Sequence, residues 1–194
     1  MANLCLDDVY FYSDEHPERI QELWEDLEAS IILSTCKPDD RWFGNILQYK
    51  SINTENIYLR GSVCYMTYDN DAILLSMETC WEPLYEAYRV VADTYGVSFV
   101  MQSIEPGFEI YENTDDTGRF FCDRYSIRYE NESFTTPSGQ PISQIIECEE
   151  FFTSSESVLE RFESAGYHAA TLTELKEKLE GTGITIYEFK NSYK

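Results

Sequence analysis

RGSVCYMTYDNDAILLSMETCW, residues 60–81, is the stretch whose reading decides the fold. Arg60–Tyr68 and Ala72–Trp81 are both rich in β-branched, aromatic and aliphatic residues, which predicts two strands. The intervening Asp69-Asn70-Asp71 has the chemistry of a tight hairpin turn. Downstream, Pro83 opens a predicted helix running to Tyr95. Leu84, Ala87, Tyr88, Val91 and Ala92 form its apolar stripe and Gly96 ends it. Val97–Ile104 follows as a strand closed by Glu105-Pro106-Gly107. Upstream, Leu4–Tyr12 (LCLDDVYFY) reads as a strand. A helix comes next, capped by Ser13 or Asp14 with Pro17 in its first turn, and Ile20, Leu23, Trp24 and Leu27 make one apolar stripe at i, i+3, i+4, i+7. The order is strand, helix, strand, strand, helix, strand, which predicts an α+β fold of ferredoxin-like, split βαβ (βαββαβ) type built on an antiparallel sheet.

Beyond this frame, a loop is expected around Lys37–Asp40, followed by a short amphipathic piece at Trp42–Tyr49. Phe108–Glu112 and Phe120–Glu130 read as an added hairpin joined by the polar turn Asn113–Gly118. Ser133–Pro141, with two prolines and a glycine, reads as a linker. A C-terminal α/β extension then comprises a strand (Ile142–Phe152), a helix capped at Ser154 or Ser155 and running to Ala165, a helix over Leu172–Leu179 with the capping pattern of Thr171 and Glu174, and a last strand, Ile184–Phe189. The expected domains are residues 1–132 and 133–194.

Thirty-six Asp and Glu face fourteen Lys and Arg, a formal net charge of −22. Such a chain repels nucleic acid and anionic membrane and attracts basic surfaces. Hydrophobic content of 43% and aromatic content of 15% exclude a disordered acidic tail. A folded chain of this mass exposes roughly 9,500 Å², or about 260 Å² per carboxylate, whereas duplex DNA offers about 100 Å² per charge. Imitation of DNA would therefore need the acids gathered on one face. Two groups qualify: the outer face of the first helix (Glu18, Glu22, Glu25, Asp26, Glu28), and as second choice Glu147, Glu149, Glu150, Glu156, Glu160 and Glu163.

The six cysteines (Cys5, Cys36, Cys64, Cys80, Cys122, Cys148) are scattered without a C-x-x-C pair, which favours free thiols in a reducing cytoplasm. Cys64 and Cys80 fall in apolar runs, where a thiol acts as a small hydrophobe. Met1–Leu6 is followed at once by Asp7 and Asp8, so no signal peptide is expected, and no apolar run approaches the ~20 residues of a membrane span. His16 and His168 have no nucleophile context, and phosphate-cradling glycine loops are lacking. Asp115-Asp116 lacks the ligand spacing of a calcium loop and reads as a solvated turn. No cofactor, metal or catalytic residue is expected. Asp7-Asp8 reads as an exposed pair on an edge strand, unless one carboxylate points inward or the strand bulges. Trp81 is expected at the core or its edge. Glu82 and Glu105 are the one carboxylate pair for an enzymatic alternative.

The opening M-A-N-x-C, the W-x-P of Trp81 and Pro83, and the E-P-G of Glu105, Pro106 and Gly107 resemble the YubB ferredoxin-like family of plasmid and phage proteins. Trp42–Leu47, Ile110–Asp115, Gly118–Phe121 and Arg124-Tyr125 extend the resemblance over residues 1–130. Leu4 stands where family openings often carry Trp. The resemblance implies a ferredoxin-like fold and genomic company with anti-restriction and conjugation functions, and it carries no catalytic constellation. Together with the charge, it leads to the expectation of a non-enzymatic inhibitor in the cytoplasm of a bacterial host. Its partner would be a basic protein with a nucleic-acid groove, such as a CRISPR-Cas effector, with no direct nucleic-acid or membrane binding. An acidic accessory or scaffold module is the alternative.

Overall fold

Strand β1 spans Leu4–Tyr12, with boundaries as predicted, and lies at the centre of a five-stranded sheet. The computed structural model describes residues 3–33, 41–69 and 71–194. Met1, Ala2, Cys36, the expected Lys37–Asp40 loop and Asn70 of the hairpin turn lie outside the described residues. The chain divides into two compact units, meeting at Asp115 and Asp116.

In the first unit, helix α1 (Pro17–Leu27) follows β1 and continues through a π-turn at Glu28–Ile32. Helix α2 (Gly44–Tyr49) precedes the hairpin of β2 (Gly61–Asp69) and β3 (Ala72–Cys80). Helix α3 (Tyr85–Tyr95), β4 (Ser98–Glu105) and β5 (Ile110–Asn113) complete the unit. The sheet order is β2-β3-β1-β4-β5, with every neighbouring pair antiparallel. This is α+β and compatible with the expected topology. Alternation along β1 buries Cys5, Asp7, Val9 and Phe11 on one face and leaves Leu4, Leu6 and Asp8 exposed on the other. Val9, Phe11, Ile73 and Leu75 pack with Ile20, Leu23 and Leu27 of α1, with Ile46 and Leu47 of α2, and with Tyr88 and Val91 of α3 in a single core. Each such side chain contributes roughly 1.5–3 kcal/mol on burial.

Helix ends differ in detail from the prediction. Pro17 is the first residue of α1, so the cap position falls to His16, whose amide donates to Ser13 Oγ at 3.1 Å; neither Ser13 nor Asp14 is the cap. Gly96 ends α3 at φ 64, the left-handed conformation that glycine adopts without strain.

In the second unit β6 (Tyr125–Tyr129) is the middle strand of three, between β7 (Glu150–Phe152) and β8 (Ile184–Glu188). Helices α4 (Ser155–Ser164) and α5 (Leu172–Leu179) supply Val158, Phe162, Leu175 and Leu179 to its core. Ser154 caps α4 by accepting from the Ser157 amide at 3.2 Å, and Thr171 caps α5 by accepting from the Glu174 amide at 3.2 Å.

Three predictions about this region are corrected. Phe108–Glu112 and Phe120–Glu130 do not form a hairpin: β5 pairs with β4, whereas β6 pairs with β7 and β8, which cover both its edges and bury Ile127 completely. The compact units divide between Asp115 and Asp116, whereas the sequence reading drew its domains as 1–132 and 133–194. Ser133–Pro141 is no linker, because Thr136 is buried, its amide reaches Gln140 O at 2.9 Å, and the Ser138 amide reaches Ala165 O at 3.0 Å. Ile142–Phe152 holds a 3₁₀ turn at Ile142–Gln144 and only a three-residue strand, since Glu149 takes φ 66 and breaks the extended run.

Candidate functional site

The division of the chain locates its charge. Residues 1–115 carry 22 Asp and Glu against 6 Lys and Arg, and residues 116–194 carry 14 against 8. The first unit thus holds −16 of the net −22.

On α1 the predicted acidic face is present but partly tied down. Glu18, Glu22 and Glu25 are exposed, while Asp26 and Glu28 are half-buried. Lys50, at the end of α2, bridges Glu22 at 3.2 Å and Asp26 at 2.7 Å and lies over the Tyr95 ring. The Tyr95 hydroxyl donates to Asp26 at 2.7 Å, and burial first, then this carboxylate, push the phenol well above its ordinary range. Glu18 approaches His16 Nδ1 at 3.1 Å, and Glu25 accepts from Gln21 at 2.8 Å. Glu18 and Glu25 therefore form no close ion pair with a Lys or Arg among the described residues.

The second acidic group is more dispersed. Glu149 pairs with Arg128 at 3.2 Å, Glu150 with Arg161 at 2.5 Å, and Glu163 lies 2.6 Å from His168 Nδ1. Glu147, Glu156 and Glu160 are exposed. Glu156 sits in the first turn of α4, where its own amide and the Ser154 and Ser155 hydroxyls hold its carboxyl below the usual range.

The motif-like segments converge at one end of the five-stranded sheet, where β1 begins and β3 and β4 end. Asp7 is 1% exposed and on a central strand, so the reading of an exposed edge pair fails for it. The period-two pleat explains this: Asp7 shares its face with Val9 and Phe11, and Asp8 takes the opposite one. Asp7 Oδ2 accepts from the Tyr88 hydroxyl at 2.7 Å and from the Leu84 amide at 3.1 Å, and Oδ1 accepts from the Cys5 thiol at 3.3 Å. Leu84 is the cap residue of α3, so this buried carboxylate completes the helix start from another element. Burial raises the Asp7 carboxyl, with the Tyr88 and Leu84 bonds opposing. Burial and the charge of Asp7 likewise push the Cys5 thiol up, which leaves it a poor nucleophile.

Glu105 is also buried, and its carboxylate accepts from the Gly107 amide at 3.0 Å and from the Phe108 amide. Its oxygens shape the turn between β4 and β5, whereas Glu82 is exposed. Asp115 is buried, with its amide bonded to Asn113 Oδ1 at 2.8 Å, and the exposed Asp116 pairs with Lys194 at 2.8 Å.

Two side chains depart from the prediction in the opposite sense. Trp81 is 38% exposed at φ 73 and meets Phe108, 58% exposed, at 5.7 Å between ring centroids. Cys64 is exposed because β2 bulges between Val63 and Tyr65. No helix among the described residues is long and apolar enough to cross a membrane. No family model, no curated protein and no solved structure matches this chain.

Proposed function

We propose that this chain is a non-enzymatic, acidic binding module that docks on a basic protein surface of the kind that holds nucleic acid, and blocks it. The observation that carries the reading is the partition of charge. A net charge of magnitude about 2–8 keeps a small domain soluble. The second unit, at −6, falls in that range, and the first, at −16, is about twice its upper end. The surplus on the first unit supports a role in attraction beyond solubility. The exposed carboxylates of α1, Glu18 and Glu25 foremost, are the contact face on this reading. The strand order and the packing of α1 and α3 in one core support a ferredoxin-like assignment of residues 4–105. With it goes the resemblance to the YubB family and its mobile-element setting, in which a CRISPR-Cas effector is a fitting partner.

The test is inhibition of DNA cleavage by a guide-loaded CRISPR-Cas effector at 50 and 200 mM salt. Wild-type protein is expected to inhibit more strongly at low salt, and the Glu18→Lys, Glu25→Lys double variant to lose at least tenfold in potency. Equal inhibition by the variant would remove α1 as the contact face. Failure to inhibit any effector or restriction nuclease from the same host would remove the function.

A further inference from the structure

Two loops at one end of the first unit's sheet are built to hold aromatic side chains in water. Trp81 follows β3 and Phe108 lies between β4 and β5, and their rings meet at 5.7 Å. The backbone presenting them is strained: Trp81 has φ 73, and Glu109, next to Phe108, has φ 57. A left-handed conformation at a bulky residue is an outlier that survives only where the surroundings enforce it, and such outliers cluster at functional sites. Buried carboxylates do the enforcing. Glu105 binds the Gly107 and Phe108 amides, and Asp7 binds the Leu84 amide just beyond Trp81. The Trp81 amide is pinned to Asn3 O at 3.0 Å. The same end of β1 offers Leu4, 50% exposed, and Leu6, 53% exposed, on the open face of a central strand.

We infer that Leu4, Leu6, Trp81 and Phe108 form the apolar anchor of a docking surface for a cationic segment of a partner protein, one that carries aliphatic or aromatic side chains between Lys and Arg. Charge selects this occupant. The apolar residues are edged mainly by carboxylates: Glu78 is the cross-strand partner of Leu6, Asp8 is the next residue on its face, and Glu82 and Glu109 flank the two aromatics, against one arginine, Arg60, that lines a cavity with Leu4 and Glu78. A second copy of the chain would bring −22 against −22, and an anionic lipid surface would be repelled in the same way. Exposed Trp and Phe among apolar neighbours are the residue types that dominate binding energy in protein interfaces. The inference rests on the proposed reading of a module for a basic partner and adds where that partner is gripped.

The experiment is selection of a random 16-residue displayed peptide library on wild-type protein at 300 mM salt, where long-range attraction to the whole acidic surface is largely screened and direct contact decides what is retained. The winners are then titrated against Trp81→Gly, Phe108→Ser and the Glu18→Lys, Glu25→Lys variant. Winners are expected to carry Lys or Arg around aromatic or aliphatic residues, and to lose at least tenfold in affinity with Trp81→Gly and Phe108→Ser. They should lose less than threefold with the α1 variant. Glycine accepts φ 73 without strain, so Trp81→Gly should melt at or above the wild-type temperature, which a merely structural tryptophan would not allow. Peptides indifferent to both loop variants, an acidic or uncharged consensus, or no enrichment would each overturn the inference. So would a wild-type dimer in sedimentation that Trp81→Gly dissociates. If the loop variants bind normally while the α1 variant stops inhibiting nuclease, the anchor fails and the proposed function stands.

Discussion

Replacing Asp7 by alanine removes a carboxylate that is 1% exposed and accepts from the Tyr88 hydroxyl, the Leu84 amide and the Cys5 thiol. A buried donor that loses its acceptor costs about 1–3 kcal/mol, and loss of negative charge at the start of α3 adds about 0.3–1 kcal/mol. Relief of the carboxylate's own desolvation offsets part of this, so the net expected loss at pH 7 is about 1–3 kcal/mol. Trp24, Trp42 and Trp81, the three tryptophans of the chain, all lie in the first unit. Urea unfolding followed by tryptophan fluorescence therefore reports this unit without the second. The pH dependence has a definite sign. Burial raises the native carboxyl above its unfolded value of 3.8, so the folded state binds the proton more tightly. The stability this group contributes is fully present below that unfolded value and is lost as pH rises through the native one. The gap between wild type and variant should consequently widen as pH falls from 7 toward 4. Tyr88→Phe, costly in wild type, should add little on top of Asp7→Ala because its hydroxyl has already lost this acceptor. A loss under about 0.5 kcal/mol, or a gap that narrows on acidification, would refute the account of Asp7 as the buried tie between β1 and α3.

Two further outcomes concern the second unit. Gly166 has φ 87, and a Cβ built on it would lie 2.7 Å from the Ser138 amide nitrogen. Gly166→Ala should therefore cost about 1–3 kcal/mol and expose the amides of residues 136–140 to hydrogen exchange, whereas Gly181→Ala, with φ 74 and open space around it, should cost about 1 kcal/mol or less. Thr171→Ala removes the side-chain acceptor of the Glu174 amide and should lower stability by about 1 kcal/mol, read as faster exchange in the first turn of α5.

What was legible in the sequence was what neighbouring residues decide among themselves. Leu4–Tyr12 announces its strand by alternation, and Leu172–Leu179 announces its helix by the Thr171 cap, and both boundaries hold in the structure. The alternation even contained the inward turn of Asp7, since Val9 and Phe11 share its parity. What hid it was the place of β1 in the sheet, which depends on β3 and β4 arriving some seventy to ninety residues later. The same non-locality defeated the hairpin reading of 108–130: Ile127 needs cover from β7 and β8, and nothing within 108–130 supplies it. The prolines and glycine of 133–141 mark tight turns as readily as a flexible joint, and only the bonds to Gln140 and Ala165 separate the two. On α1 the exposed acids were legible from the helical period, but the pairing of Glu22 and Asp26 with Lys50 was not, because that lysine comes from the end of another helix.

Charge and apolar surface divide the proposed binding event between them. The −16 of the first unit acts over a Debye length, about 8 Å at physiological salt, and so accelerates encounter with a basic surface. It does little to hold the complex, because exposed ion pairs contribute about 0–1 kcal/mol each. A lifetime long enough to block a groove has to come from desolvated apolar contact, which in protein interfaces is concentrated in a few aromatic anchors. The first unit has such a feature in the Trp81–Phe108 pair, held out of the core at the expense of a strained backbone and two buried carboxylates. Burial of Trp81 would relieve an exposed aromatic, and a glycine at its position would relieve the strain. A chain that does neither keeps a costly arrangement whose physical return, on the proposed reading, is realised only when a partner covers it.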